Sequence, residues 1–473
     1  MLIFNILRHL ARAVLPRLAK RNQMMKNIGI CLWLLAASAL AGAQENPQAH
    51  AQVMTLKDCM DYAISNSTKV RIQQAAVGDA QIARRDAIFA AFTPQVTGSS
   101  YAYYNFGRAV DPQTNTYINT TSFHNGYQLQ AGIDLFNGFA AVNNLRIAKT
   151  ALAMGQRQEK QVEADICLAT MEAFYNLVYY TRLADIYAAQ VQTAQQMVRK
   201  ARRQEELGQK GHADVVQMEA ELADREYDHT KTVNLRDHAQ LMLKDVMFWP
   251  VGDSLAIDTE VSEEEALEEP VSREEMVEYA RANMPSAQIA RWAMENAKRE
   301  WNSAKWQLLP SLGLYTGWST TYFSYPGGNA TDPFRTQFKN NGGEYIQLSL
   351  NIPLFNRLQR HSTVARKRNA WRKASAEYDQ KMRDIEAEVA QAVQDREGAS
   401  AAFRQAQKKS AVQEEAYFLN SKKLEQGLIS PIEYQTATNA FLSAQADRLN
   451  ALFQYLIKRS VVRYYGGTPY NEQ

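Results

Sequence analysis

The side chains able to do chemistry are few, and their spacing does not suit it. The 473-residue chain holds seven histidines and three cysteines. His229 and His238 share a helical stretch but stand nine residues apart, outside the spacing with which two histidines on one helix grip zinc. His9, His50 and His124 fall in expected termini or loops, and His212 and His361 are isolated. No Gly-x-Ser-x-Gly, P-loop or strand-following Gly-x-Gly-x-x-Gly occurs, so neither enzyme activity nor a cofactor or metal is expected. Cys59 and Cys167 lie in different helical segments without histidine neighbours. A disulfide in an oxidising compartment is one reading, and two small core residues are the preferred one. Residues 248–270 carry eight carboxylates and no Lys or Arg, without ligand-like spacing; they read as an acidic linker or a small lateral domain. The net charge of +3 implies no nucleic-acid partner. The cluster Lys200 to Arg203, followed by Glu205 and Glu206, reads as a solvated helix face.

The elements that would position any site occur twice. Leu135-Phe136-Asn137 returns as Leu354-Phe355-Asn356, 219 residues later, and Gly208 and Asp214 return at the same offset as Gly427 and Glu433. Thr55 to Ala63 answers to Ser272 to Ala280, and Pro94 to Pro310. The period is too long for a solenoid and points to a duplicated half, 44–247 and 271–467, joined by the acidic stretch and followed by a tail, 468–473. Each half reads as a helix (from Thr55 to about Thr93; from Ser272 to about Leu309), two strands around a polar loop, and a long helical hairpin. From Ile166 to Ala201 the apolar positions step by four and three as a heptad seam through Leu177, Ala184 and Val198, and the second half repeats this at Met382, Ile385, Val389 and Ala392. A rod of about 65 residues is about 100 Å long and needs neighbours along its whole side.

The N-terminus reads as an export signal, 1–43. Lys26 precedes an apolar run from Ile28 to Leu40 and an Ala41-Gly42-Ala43 cleavage site, with Met24 or Met25 as the start and the mature chain beginning near Gln44. A single membrane anchor is the alternative.

The strands change the period to two. Tyr127, Leu129, Ala131, Ile133 and Leu135 share one face, and Gln128, Gln130, Gly132 and Asp134 share the other. Leu312, Leu314 and Trp318, then Ile346, Leu348, Leu350 and Ile352, repeat the pattern. Four strands of about ten residues alternating apolar with small polar residues fit a membrane barrel. Leu129, Ile133, Leu314, Trp318, Ile346, Leu348 and Leu350 would then face lipid. Tyr101, Tyr103, Tyr104, Tyr127, Trp318, Tyr322 and Tyr345 would form interfacial girdles. Four strands cannot close a barrel, so other copies must complete it, two giving eight strands and three giving twelve. A soluble sandwich flanked by coiled coil is the alternative fold.

Asn351-Ile352-Pro353-Leu354-Phe355-Asn356, Leu424 to Ser430 and Tyr464-Tyr465-Gly466-Gly467, together with the duplication, resemble the TolC family of outer-membrane efflux proteins over about Met54 to Gly467. The resemblance implies a mainly α fold with a small β part. Long antiparallel hairpins form an α-barrel, and four amphipathic strands per chain contribute to a trimeric twelve-stranded transmembrane β-barrel. It implies a homotrimer in the outer membrane of a Gram-negative bacterium, with a periplasmic helical portion, serving as a passive conduit. The partners implied are a periplasmic adaptor and an inner-membrane pump of RND or ABC type. The adaptor would meet the hairpin tips, here Leu207, Gly208, Gly211, Asp214, Leu424, Gly427, Leu428, Ser430 and Glu433. The glycines also read as helix stops, and Ser430 and Asp214 as caps. Lys210 and His212 depart from the family's pattern at the first tip. The family's acidic tunnel constriction falls at Glu414 and Glu415, which an exposed helix face explains equally well. A periplasmic coiled-coil scaffold without a pore is the alternative function.

Overall fold

The computed structural model describes residues 53–110, 115–119, 121–260, 272–326 and 331–473. The export signal and the rest of the stretch before Val53 lie outside them, as do residues 261–270 of the acidic linker. Met54–Gln473 form one compact unit.

The first half opens with α1, Leu56–Asn66, whose start is held by a reciprocal capping box between Thr55 and Asp58. The single helix expected over Thr55 to Thr93 is two. Ser67 leaves the helical conformation and its hydroxyl caps α2, Thr68–Phe92, by accepting from the Lys69 and Val70 amides. The second half breaks at the matching place, where Met284 precedes Pro285 and the ring forbids a helical residue before it. This gives α5, Arg273–Asn283, and α6, Pro285–Trp306. The hairpins are α3, Ala140–Glu206, with α4, His212–Met247, and α8, Gln359–Glu425, with α9, Pro431–Tyr465. Both α3 and α8 have 67 residues, about 100 Å of rod. Ile166, Leu177, Ala184 and Val198 of the seam are buried, as are Met382, Ile385, Val389 and Ala392.

The strands are β1, Gln95–Asn105, β2, Arg108–Val110, β3, Tyr117–Asn119, β4, Ser122–Phe136, β5, Ser311–Ser324, and β6, Gly343–Asn351. The polar run expected as a bare loop holds the small β2–β3 hairpin, and β4 starts five residues earlier than its clearest alternation. The long strands make one antiparallel sheet in the order β1-β4-β5-β6. The long helices pack in the same order, α2 on α3, α3 on α6 and α6 on α8. Each strand therefore continues end to end into a helix of the same rank, so one layer changes from β to α along its length.

The main core lies where α1, the hairpins and the segment after α4 meet, around Cys59, Phe174, Leu243, Phe403 and Phe453. The segment 249–260 is no solvated linker. Met54 and Ile257 form a parallel bridge, Leu255 is buried, and Trp249 packs against Tyr62 with the rings tilted. Lys244 donates to the Val251 and Asp253 carbonyls, and Arg182 to that of Thr259. These side chains satisfy backbone carbonyls that no strand would otherwise pair.

Cys59 and Cys167 are free and buried, the core residues expected. Loss of water pushes both thiols up to about 12. Neither thiol should react with an alkylating reagent at about pH 8 in the folded chain, and both should react after denaturation. The stability tied to the neutral thiols is complete below their ordinary value and is lost as pH rises through 12. Ala184, 4% exposed in mid-α3, tests the rod. Ala184→Pro should cost about 3 kcal/mol or more and prevent assembly. A stable assembly with an unchanged thermal midpoint of the helical circular dichroism signal would contradict this.

Candidate functional site

The sheet has two unlike faces. Leu129, Ile133, Leu314, Trp318, Ile346, Leu348 and Leu350 all fall on one, because register pairs Leu129 with Trp318, Ile133 with Leu314, and Leu314 with Leu348. Toward the β6 edge this face is bare, with Ile346 73%, Leu348 64% and Leu350 62% exposed. Leu135 does not join it. A bulge between Asp134 and Phe136 hands the face to Phe136, and Leu135 becomes the extra residue.

The opposite face carries Gln128, Gln130, Asp134, Ser311, Ser319, Gln347 and Ser349. Tyr101, Tyr103 and Tyr345, expected in girdles, lie here instead, since Tyr101 pairs with Gly126 and Tyr345 with Gly317. Only Tyr104, Tyr127, Trp318 and Tyr322 remain on the apolar face, where Phe123 joins them. Tyr101 and Tyr345 lie against glycines, as does Tyr315 on the same face, while Tyr103 stacks on His124. A Cβ at Gly132 would stand 2.7 Å from the Tyr315 ring, and one at Gly317 2.7 Å from the Tyr345 ring. Glycine thus lets bulky rings hug the sheet, leaving the polar side unobstructed. Gly-x-Tyr-x-Gly over residues 313–317 was the sequence signal for this.

At the loop end, residues expected as a polar loop form α7, Phe334–Asn340. Past Ser319, β6 no longer pairs with β5. The buried Gln337 side chain takes its place: its amide nitrogen donates to the Phe323 carbonyl and its oxygen accepts from the Phe323 amide. Asn341 donates to the Thr321 carbonyl. Phe334 and Phe338 then reach over the apolar face to Tyr127, Trp318 and Tyr322.

At the far end of the rods the two hairpin turns sit side by side. Leu424 packs with Val198, Ala201 and Val215, and Lys200 pairs with Glu425. Gly208 and Gly427 take φ of +69° and +73°, the left-handed stop that glycine adopts without strain. Leu207 and Leu428 are exposed. Ser430 and Glu433 form a capping box on α9. Asp214, expected as a cap, does not cap: Gly211 has no side chain to answer it, and Asp214 contributes only a charge in the first turn of α4. His212 is held by Glu205. Glu414 and Glu415 are exposed on α8, and nothing in a single chain sets them apart from a solvated face.

A buried bridge between the hairpins was not foreseen. Arg225 of α4 donates to Glu221 at 2.7 Å and to Asn439 of α9, and both ionic side chains are nine-tenths buried. Its sequence signal, Glu-x-x-x-Arg at helical spacing, is the same as that of any surface pair. Among the described residues no group of three metal-ligating side chains comes together.

Residues 276–467 match the family model described as outer membrane efflux protein. No curated protein matches the chain in sequence. Among solved structures, CusC, studied for transmembrane channel formation, shares 16% identity with a TM-score of 0.74 over 90% of this chain and 95% of its own. The outer membrane protein VceC of Vibrio cholerae shares 15% with a TM-score of 0.73, over 87% and 96%. The outer membrane channel CmeC of Campylobacter jejuni shares 16% with a TM-score of 0.72, over 87% and 85%. Residues 276–467 thus resemble an outer membrane efflux protein domain, and the fold is that of the TolC-like channels.

Two substitutions test this geometry. Gly317→Val should displace Tyr345 and cost about 1–3 kcal/mol, read as a lower thermal midpoint, with no loss contradicting the close packing. Arg225→Leu leaves Glu221 buried without its partner and should cost about 3–5 kcal/mol in denaturant unfolding. Adding Glu221→Leu should recover most of that loss, and a double variant as unstable as the single one would refute the pairing.

Proposed function

We propose that the chain is one third of a homotrimeric efflux channel in the outer membrane of a Gram-negative bacterium. The observation that carries this is the open sheet, with a bare apolar face and unpaired outer edges on β1 and β6. In lipid each unpaired backbone group costs several kcal/mol, so an open sheet must be closed. Pairing β6 of one copy with β1 of the next closes it, and three copies of four strands give the twelve that leave room for a pore. The apolar face, including Leu129, Ile133, Leu314, Trp318, Ile346, Leu348 and Leu350, then meets lipid. The Gln/Ser/Gly face lines the lumen.

The helices continue the wall as a tunnel through the periplasm. The tips, Leu207, Gly208, Gly211, Asp214, Leu424, Gly427, Leu428, Ser430 and Glu433, meet a periplasmic adaptor, and an inner-membrane pump supplies the energy. Glu414 and Glu415, about three turns up α8 from its tip, are proposed to narrow the tunnel. The conduit is passive: the polar lumen offers hydrogen-bonding groups and no catalytic set.

Purified protein in detergent should have the mass of three chains and should conduct ions across a planar bilayer without nucleotide or proton gradient. A water-soluble monomer, or a trimer that never conducts, would overturn the reading. Leu207→Asp with Leu428→Asp should abolish adaptor co-purification while the trimer persists; undiminished co-purification would remove the tips from the interface.

A further inference from the structure

Between Glu344 and Glu377 the chain has no carboxylate, yet it holds Arg357, Arg360, Arg366, Lys367, Arg368, Arg372 and Lys373, with His361 among them. The matching start of α3 carries only Arg146 and Lys149 before Arg157. The duplication therefore does not account for this charge. Part of it has local work. Arg360 donates to the Gln307 carbonyl, Lys367 pairs with Glu300 on α6, Lys373 approaches Glu377, and Arg366 bonds Thr363. Arg357, His361, Arg368 and Arg372 are exposed and have neither ion pair nor side-chain hydrogen bond among the described residues. On α8, His361, Arg368 and Arg372, spaced by seven and four, share one side of the rod, about a quarter turn from Lys367 and Trp371, which face α6, so they point across the layer and not along it to its open edge; Arg357 stands just before the helix, in the turn that leads into it.

The position of this row fixes its chemistry. It begins six residues past the end of β6, after Ile352, Leu354 and Phe355, which are exposed apolar side chains continuing from the bare sheet face. An apolar band followed at once by unpaired arginines is the order met on crossing from hydrocarbon to headgroups. Helical side chains lean toward the N-terminus, here back toward the sheet, and arginine's long stem extends that reach. Arg357 is also held at φ +55°, where the first half has Gly138. A bulky cation thus stands in a conformation that its counterpart meets with glycine.

We infer that Arg357, His361, Arg368 and Arg372 form a basic collar binding the phosphate headgroups of anionic phospholipids in the leaflet beside the helices. The inference rests on the membrane reading above. Three copies would ring the barrel with nine arginines, anchoring its depth and favouring anionic lipid at the β-to-α junction.

The test uses the full chain in phosphatidylcholine vesicles, with spin-labelled phosphatidylglycerol and spin-labelled phosphatidylcholine as probes. The wild type should prefer phosphatidylglycerol, and salt at about 0.5 M should erase the preference. In R357Q/R368Q the preference should fall by roughly fivefold for each arginine removed, the increment for a cation at an anionic surface. K231Q, on exposed α4, should keep it. A wild type that inserts and conducts without preferring phosphatidylglycerol overturns the collar and leaves the channel standing. A double variant that retains the preference overturns it too. One whose trimer dissociates in phosphatidylcholine shows instead that this face joins copies of the chain. Failure of the wild type to enter any vesicle removes the channel reading and the collar with it.

Discussion

Unpaired backbone at the two outer strands is the constraint on which the molecule depends. β1 and β6 each pair on one side only, and the face they border is apolar and, toward β6, uncovered. In water such edges invite indiscriminate pairing, and in lipid they cannot be left open. Both conditions are met if the next copy supplies the missing neighbour. The same logic runs down the helices. The order α2, α3, α6, α8 repeats the strand order, so α2 and α8 are also edges awaiting partners. One closure completes both layers.

Within a copy, the chain seals other gaps with side chains. Where β6 stops short, Gln337 and Asn341 satisfy β5. Where the chain crosses between halves, Lys244 and Arg182 satisfy the segment after α4. The buried Arg225–Glu221 pair with Asn439 links the two hairpins near their tips, a bond that gives registry more than net stability. Glycine under tyrosine thins the wall on its polar side without a loss of packing.

Much of this was legible in the residues. The alternation from Tyr127 to Ile133 and from Ile346 to Leu350 located both faces, because a buried or lipid-bound face must repeat every second residue. The heptad seam and Gly208 and Gly427 placed the rods and their turns. The duplication supplied each element's counterpart. What stayed hidden had non-local causes. Ser67 breaks the first helix by leaving the helical conformation and capping α2 with its hydroxyl, a cap that helical periodicity does not reveal. Tyr101 and Tyr345 look like girdle residues until register sets them opposite glycines. The acidic composition of 248–260 suggested solvation, yet its carbonyls, not its carboxylates, do the docking. Gln337 in a polar loop carries no local mark of its role, which depends on where β6 ends.

Backbone amide hydrogen exchange along β1 and β6 in the purified assembly tests the central claim most directly. Alternate amides of these strands point away from β4 and β5. If neighbouring copies complete the sheet, those outward amides exchange as slowly as the inward ones. Free exchange of every second amide along both strands would show that the edges are bare, and would contradict the closed ring on which the account stands.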